Sequence, residues 1–188
     1  MALYTGKGDK GTTKLFDSPA GVRVSKSSAI FETLGMLDEL NTLVGWCKVE
    51  TSEDFMADGK SVKGLLHDVQ DCLFTIQAEV AGAQKSVPQS NTETMSALIN
   101  TIEKELPEIK TFLVPGGTEL SARLDITRAV SRRAERRLVA LHESGERSIA
   151  ESSRAYANRL SSLFYALTRL QNYRSGVIEK PPAYQGNT

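Results

Sequence analysis

The segment Thr127–Leu138, reading TRAVSRRAERRL, carries five arginines in barely three helical turns: Arg128, Arg132, Arg133, Arg136 and Arg137. Spacing by four stacks Arg128, Arg132 and Arg136 along one face of an α-helix, and Ala129, Val130, Ala134, Leu138 and Leu141 supply an apolar stripe beside them. Stacked cations repel one another, so the ladder calls for a compensating anion. A ligand with several phosphates meets that need, because guanidinium groups match phosphate oxygens two at a time. The plainer alternative is a solvated helix face, with Asp125 and Glu135 as local ion-pair partners of little energetic weight.

A second anion-seeking element is Tyr4-Thr5-Gly6-Lys7-Gly8-Asp9-Lys10-Gly11-Thr12-Thr13. Its glycines let backbone N–H groups converge and its lysines add charge. Its threonine hydroxyls, with Asp9, reach phosphate or the Mg²⁺ that accompanies it. It is not a Walker A loop, because GxxxxGK[ST] is absent and no strand pattern precedes it. Alone, the segment reads more readily as a flexible terminus. Beside the ladder it predicts one polyphosphate gripped from two sides. Lysine plus arginine (23) equal aspartate plus glutamate (23), so the basic charge is local and suits a small anion rather than a nucleic acid.

Other positions carry weaker signals. Asp38 lies in Leu37-Asp38-Glu39-Leu40, where a solvent-facing acid accounts for Glu39 better than for Asp38; a buried Asp38 needs a cation. Asn158 falls inside a helical pattern that asparagine does not favour, which points to a ligand role. Phe112, just ahead of Pro115-Gly116-Gly117, reads as a core-capping residue, and Trp46 as core or subunit packing. His67 and His142 lack HxxH or HxxE spacing and read as surface or helix-end histidines. Cys47 and Cys72 sit in apolar-periodic stretches and read as buried free thiols of a cytoplasmic protein. No Ser/His/Asp or Cys/His arrangement offers a nucleophile.

These residues need a scaffold, and the hydrophobic period supplies one. Ser27–Val49 places Ile30, Phe31, Leu34, Leu37, Leu40, Val44 and Cys47 at three-and-four spacing, as an amphipathic helix requires. Val62–Ala83 repeats the pattern, a shorter helix spans Thr92–Leu106 and is stopped by Pro107, and two more cover Glu119–Glu143 and Ser148–Arg174. The prediction is an all-α, five-helix bundle forming a single domain over 1–188. Its parts are an N-terminal phosphate-binding loop (1–26), the helical bundle (27–174) and a tail (175–188). No apolar run approaches membrane-spanning length, and the start MALYTGKGDKG lacks a signal-peptide apolar region, so no membrane association is expected.

Five blocks taken together resemble the PduO-type ATP:cob(I)alamin adenosyltransferases: YTGKGDKGTT (4–13), LDELN (37–41), FLVPGG (112–117), RAVSRRAERR (128–137) and NRLSSLFY (158–165). They follow that family's order and spacing. The resemblance implies a ferritin-like, cobalamin adenosyltransferase-like bundle assembled as a homotrimer, with ATP and cobalamin bound between neighbouring subunits. It implies transfer of the 5′-deoxyadenosyl group of ATP to the cobalt of cob(I)alamin, with release of triphosphate and Mg²⁺ on the phosphates. A flavoprotein reductase and an adenosylcobalamin-dependent mutase are the partner proteins it implies. The alternative is an ATP-responsive adenosylcobalamin-binding or delivery bundle with little turnover. A di-iron carboxylate bundle is disfavoured, since paired ExxH elements are missing.

Carried over by position, the resemblance puts ATP contacts on Thr5, Gly6, Lys7, Gly8, Thr13, Lys14 and Lys26, and further ones on Arg132, Arg133, Glu135, Arg136 and Asn158. Asp38 and Arg128 match an intersubunit salt bridge beside the corrin site. Phe112 matches an aromatic that fills the space below the corrin and displaces its lower base. These three form the expected catalytic and cobalamin-binding set. Many family members read TKTGDKG where this chain has Thr5-Gly6-Lys7-Gly8, so the loop lysine is shifted here by a position or lost.

Overall fold

The computed structural model describes residues 4–184; Met1–Leu3 of the expected N-terminal loop and the last four residues of the expected tail lie outside the described residues. Five long helices form where the period predicts: α1 (Ala29–Glu50), α2 (Val62–Val80), α3 (Gln89–Glu105), α4 (Glu119–Glu143) and α5 (Glu151–Arg174). Their ends follow local chemistry. The Ser61 hydroxyl accepts from Gly64 N at the start of α2, and Thr118 with Ser121 forms a capping box at the start of α4. Pro107 follows directly on the C-cap residue of α3, Leu106. The expected helices run two or three residues long or short at several ends, where capping rather than hydrophobic period decides.

Two short antiparallel pairs accompany the helices. β1 (Thr12–Thr13) pairs with β2 (Val24–Ser25), and β3 (Met56–Ala57) pairs with β4 (Lys60–Ser61).

Side-chain contacts fix the helix directions. Glu32, Glu39 and Cys47 of α1 meet Arg137, Arg133 and Thr127 of α4, so these two helices run antiparallel. Between α3 and α5, Val87 N donates to Ser153 Oγ near one end and Arg174 pairs with Glu105 at the other, so they run parallel. Helix neighbours follow the order α2–α1–α4–α5–α3, which puts α4 at the centre. The core is continuous through Leu37, Leu40, Val44, Leu66, Leu73, Ile76, Leu124, Leu138, Leu160, Leu163 and Phe164. Each such side chain contributes about 1.5–3 kcal/mol relative to exposure.

Several expectations change at side-chain level. Ala129, assigned to the apolar stripe of the arginine helix, is exposed, because it lies on the flank of α4 turned away from the core. Of the two places expected for Trp46, the core of the chain is excluded, since the ring is 48% exposed with the Arg123 guanidinium stacked 4.3 Å from its centroid. Phe112 is 79% exposed and caps no core. Cys47 and Cys72 are buried and unpaired, as expected, and burial pushes the Cys47 thiol above its ordinary pKa. His67 is exposed, and His142 accepts from Ile149 N in the turn after α4.

Candidate active site

The glycine-rich N-terminal segment is ordered as a compact loop. Asp9 N donates to Gly6 O and Gly11 N to Gly8 O, closing two successive turns, and Lys26 N donates to Gly11 O at 2.9 Å. Arg23 ties the loop together, donating to Thr12 Oγ1 at 2.9 Å and to Lys7 O at 2.7 Å. The Lys26 ammonium lies over Gly8, its Nζ 3.1 Å from where a Cβ would stand. Lys7, Lys10 and Lys14 are exposed around the same turns, leaving Lys26 and three further ammonium groups free to meet an anion. The segment is moored to the bundle by Phe16 N, which donates to Ala81 O, and by Asp17, which pairs with Arg147 at 2.6 Å. The Arg147 guanidinium holds the Asp17 carboxyl below its usual pKa.

At the opposite end, the connection between α3 and α4 carries Phe112 over a groove between α4 and α5. The resulting cavity, about 730 Å³, is lined by Phe112, Leu113, Arg128, Arg132, Ser161 and Tyr165 among others. Arg128 lies 5.9 Å from the Tyr165 ring centroid and donates to Asp125 Oδ1 at 3.2 Å. The second Asp125 oxygen accepts from Gly116 N at 3.0 Å, so one buried carboxylate ties the Phe112 connection to Arg128. Partial burial raises the Tyr165 phenol above its ordinary pKa, so it stays neutral and keeps its donor hydrogen.

The arginine ladder runs between these two ends. From Arg128 to Arg136 the helix rises about 12 Å. Arg132 and Arg136 are exposed, and Glu135 beside them accepts from Asn158 Nδ2 at 2.9 Å. Within the chain Glu135 thus holds Asn158 rather than the local arginine partner that the plainer reading of the helix gives it. Arg133 and Arg137 leave the groove altogether, Arg133 bonding Glu39 at 2.9 Å and Arg137 facing Glu32 at 3.9 Å across α1. Asp38 is exposed, on the same face of α1 as Thr42 and Val49, and the partner of Arg128 within the chain is Asp125.

Ser161, Ser162 and Tyr165 lie in the NRLSSLFY block but carry no individual role in the sequence reading, although with Asn158 they stand at i, i+3, i+4 and i+7, one face of a helix. Arg23 was missed too, and nothing in its local sequence marks it. No three His, Cys, Asp or Glu side chains among the described residues converge as a protein-only metal site.

The arrangement is that of an all-α bundle in which an exposed arginine ladder adjoins a partly aromatic cavity along one groove. A family model for cobalamin adenosyltransferase matches residues 3–171. A corrinoid adenosyltransferase from Bacillus subtilis (strain 168) is 36% identical over 182 residues, covering 94% of this chain and 90% of that protein. The corrinoid adenosyltransferase PduO of Citrobacter freundii is 36% identical over 190 residues, and there the match takes in 96% of this chain but 53% of the relative. Among solved structures, a variant PduO-type ATP:corrinoid adenosyltransferase from Lactobacillus reuteri, complexed with cobalamin and ATP, superposes with a TM-score of 0.85 at 27% identity, covering 97% of each chain. The chain belongs to the cobalamin adenosyltransferase family.

Proposed function

We propose that this protein transfers the 5′-deoxyadenosyl group of ATP to the cobalt of cob(I)alamin, releasing triphosphate. The observation that carries the reading is the groove itself, in which an arginine ladder leads out of an aromatic-lined cavity of about 730 Å³. The reduced corrinoid supplies the nucleophile, so the protein needs no acid, base or nucleophile of its own. Its tasks are to align C5′ with cobalt, to offset charge gathering on the triphosphate, and to exclude water.

Roles follow from position. Arg132 and Arg136, with Asn158 and Glu135, hold the nucleotide from the bundle side. Thr5, Gly6, Lys7, Gly8, Thr13, Lys14 and Lys26 hold its phosphates from the loop side. Mg²⁺ is carried chiefly by phosphate oxygens, with Asp9 and Glu135 as the nearby acids. Phe112 and Tyr165 line the corrinoid side, where Phe112 crowds out the lower base.

A homotrimer completes the site. Within one chain Arg133 is drawn to α1 and Asp38 faces outward. A neighbouring subunit that brings its Arg128 to Asp38 would place both on a shared seam, and Arg133 joins the nucleotide from there. Two buried free thiols suit the reducing cytoplasm.

The test is an anaerobic incubation with ATP, Mg²⁺ and chemically reduced cobalamin, followed by chromatography. Adenosylcobalamin and triphosphate in equal amounts are the expected products. Folded protein that forms neither sinks the proposal, and tight retention of adenosylcobalamin after one turnover points to a delivery bundle instead.

A further inference from the structure

The Phe112 connection, residues 106–118, has no regular secondary structure, and Phe112 itself is exposed. Something other than packing by Phe112 must hold it in place. Its first anchor is Pro107 O, which accepts from Arg169 Nη2 at 3.2 Å. Its far end is held by Asn172, which donates to Gly116 O at 3.0 Å. Gly117 lies against the same amide: at φ 138°, a Cβ there would meet Asn172 Oδ1 at 2.2 Å. Arg169 and Asn172 thus grip both ends of the connection from one buried face of α5.

Both grips depend on a third residue. Glu179 lies in the segment that turns back after α5, and its two carboxylate oxygens divide between the pair. Oε2 accepts from Arg169 Nε at 2.9 Å, and Oε1 accepts from Asn172 Nδ2 at 3.2 Å. The Arg169 side chain is 8% exposed and that of Glu179 15%, so this is a dry, oriented ion pair rather than a surface contact. The same segment reaches the connection directly, Val114 N donating to Lys180 O at 2.9 Å. The post-α5 segment is therefore a strap lying over the connection, and Glu179 is its buckle.

We propose that Glu179 is a positioning residue for the Phe112 connection, acting through Arg169 and Asn172, and that it sets affinity for the corrinoid while leaving the nucleotide untouched. Glu179 does not line the Phe112 cavity. It fixes the distance between Phe112 and Arg128 across the cavity, because Asp125 already pins the far end of the connection to Arg128. Arg132, Arg136 and Asn158 lie further along the groove and, among the described residues, make no bond to the strap, so the nucleotide side stays as it is.

The inference rests on the adenosyl-transfer reading, and two readouts separate the one from the other. Glu179→Ala and the isosteric Glu179→Gln are compared with wild type and with Lys180→Ala, which keeps its carbonyl and is expected to match wild type. Hydrogen–deuterium exchange on the ligand-free protein is expected to rise about tenfold across residues 111–116 in both Glu179 variants, with the helices unchanged. In the assay, KM for cob(I)alamin is expected to rise about tenfold while KM for ATP stays within about twofold. Loop exchange at the wild-type rate, or equal rises in both KM values, overturns the proposal. A wild-type protein that forms no adenosylcobalamin defeats the adenosyl-transfer reading, whereas the exchange result still decides whether Glu179 holds the connection. If Glu179→Ala does not fold, Glu179→Gln carries the same readouts.

Discussion

Arg132 stands exposed at the mouth of the cavity, and Phe112 covers its other side. Their substitutions should therefore separate the two substrates. Arg132→Ala removes a charge-assisted phosphate contact and is expected to lower kcat/KM for ATP about 10- to 100-fold. Phe112→Ala is expected to leave ATP binding intact while impairing use of cob(II)alamin under reducing conditions. Initial rates with either substrate varied settle both; a Phe112→Ala protein equal to wild type with cob(II)alamin removes the lower-base role. At this scale the sequence is legible where residues share a helix face. Spacing alone exposes Arg128, Arg132 and Arg136. It does not say which arginine turns towards α1, because Glu39 and Arg133 are 94 residues apart and only the packing of α1 on α4 joins them. Trp46 escapes for the same reason, its partner Arg123 arriving from another helix.

At the level of elements, the five helices are readable because each buries a periodic stripe, and α4 keeps its expected bounds from Glu119 to Glu143 because a capping box marks its start. Loops are less legible. The turns of YTGKGDKGTT depend on Arg23 and Lys26, and the Phe112 connection depends on a strap far along the chain. A pH dependence belongs to this scale. Asp17 moors the N-terminal loop to Arg147, and its pKa in the folded protein lies below the ordinary 3.8. A depressed carboxyl pKa adds stability that is fully present above the unfolded value and lost as pH falls through the folded one. Amide exchange in residues 6–18 is expected to stay flat from neutral pH down to about 4, after correction for intrinsic rates, and to rise below it. Asp17→Asn should show the raised exchange at neutral pH. An identical pH response in that variant assigns the effect to some other group.

For the whole molecule, the outer face formed by α1 and α4 carries several exposed apolar side chains. Trp46 and Val49 on α1 and Ile126 on α4 are 48%, 73% and 50% exposed, and Asp38 shares that face of α1. Covering it with neighbouring copies joins the seam expected for Asp38 and Arg128. Val49→Asp with Ile126→Asp is expected to convert a trimer into monomers by light scattering and to abolish turnover while the helical signal persists. A wild-type protein that is monomeric and fully active excludes a shared site. Within one chain the trace of such a seam is its exposed side chains, here Trp46, Val49, Ile126 and Asp38. Asp125 carries a last consequence, for how the family can vary. One carboxylate serves the Gly116 amide and the Arg128 guanidinium, so damage to either ligand of that carboxylate already spoils the other. Substitutions at 116 and 128 should combine with less than additive cost, and these positions are free to drift only in company with 125.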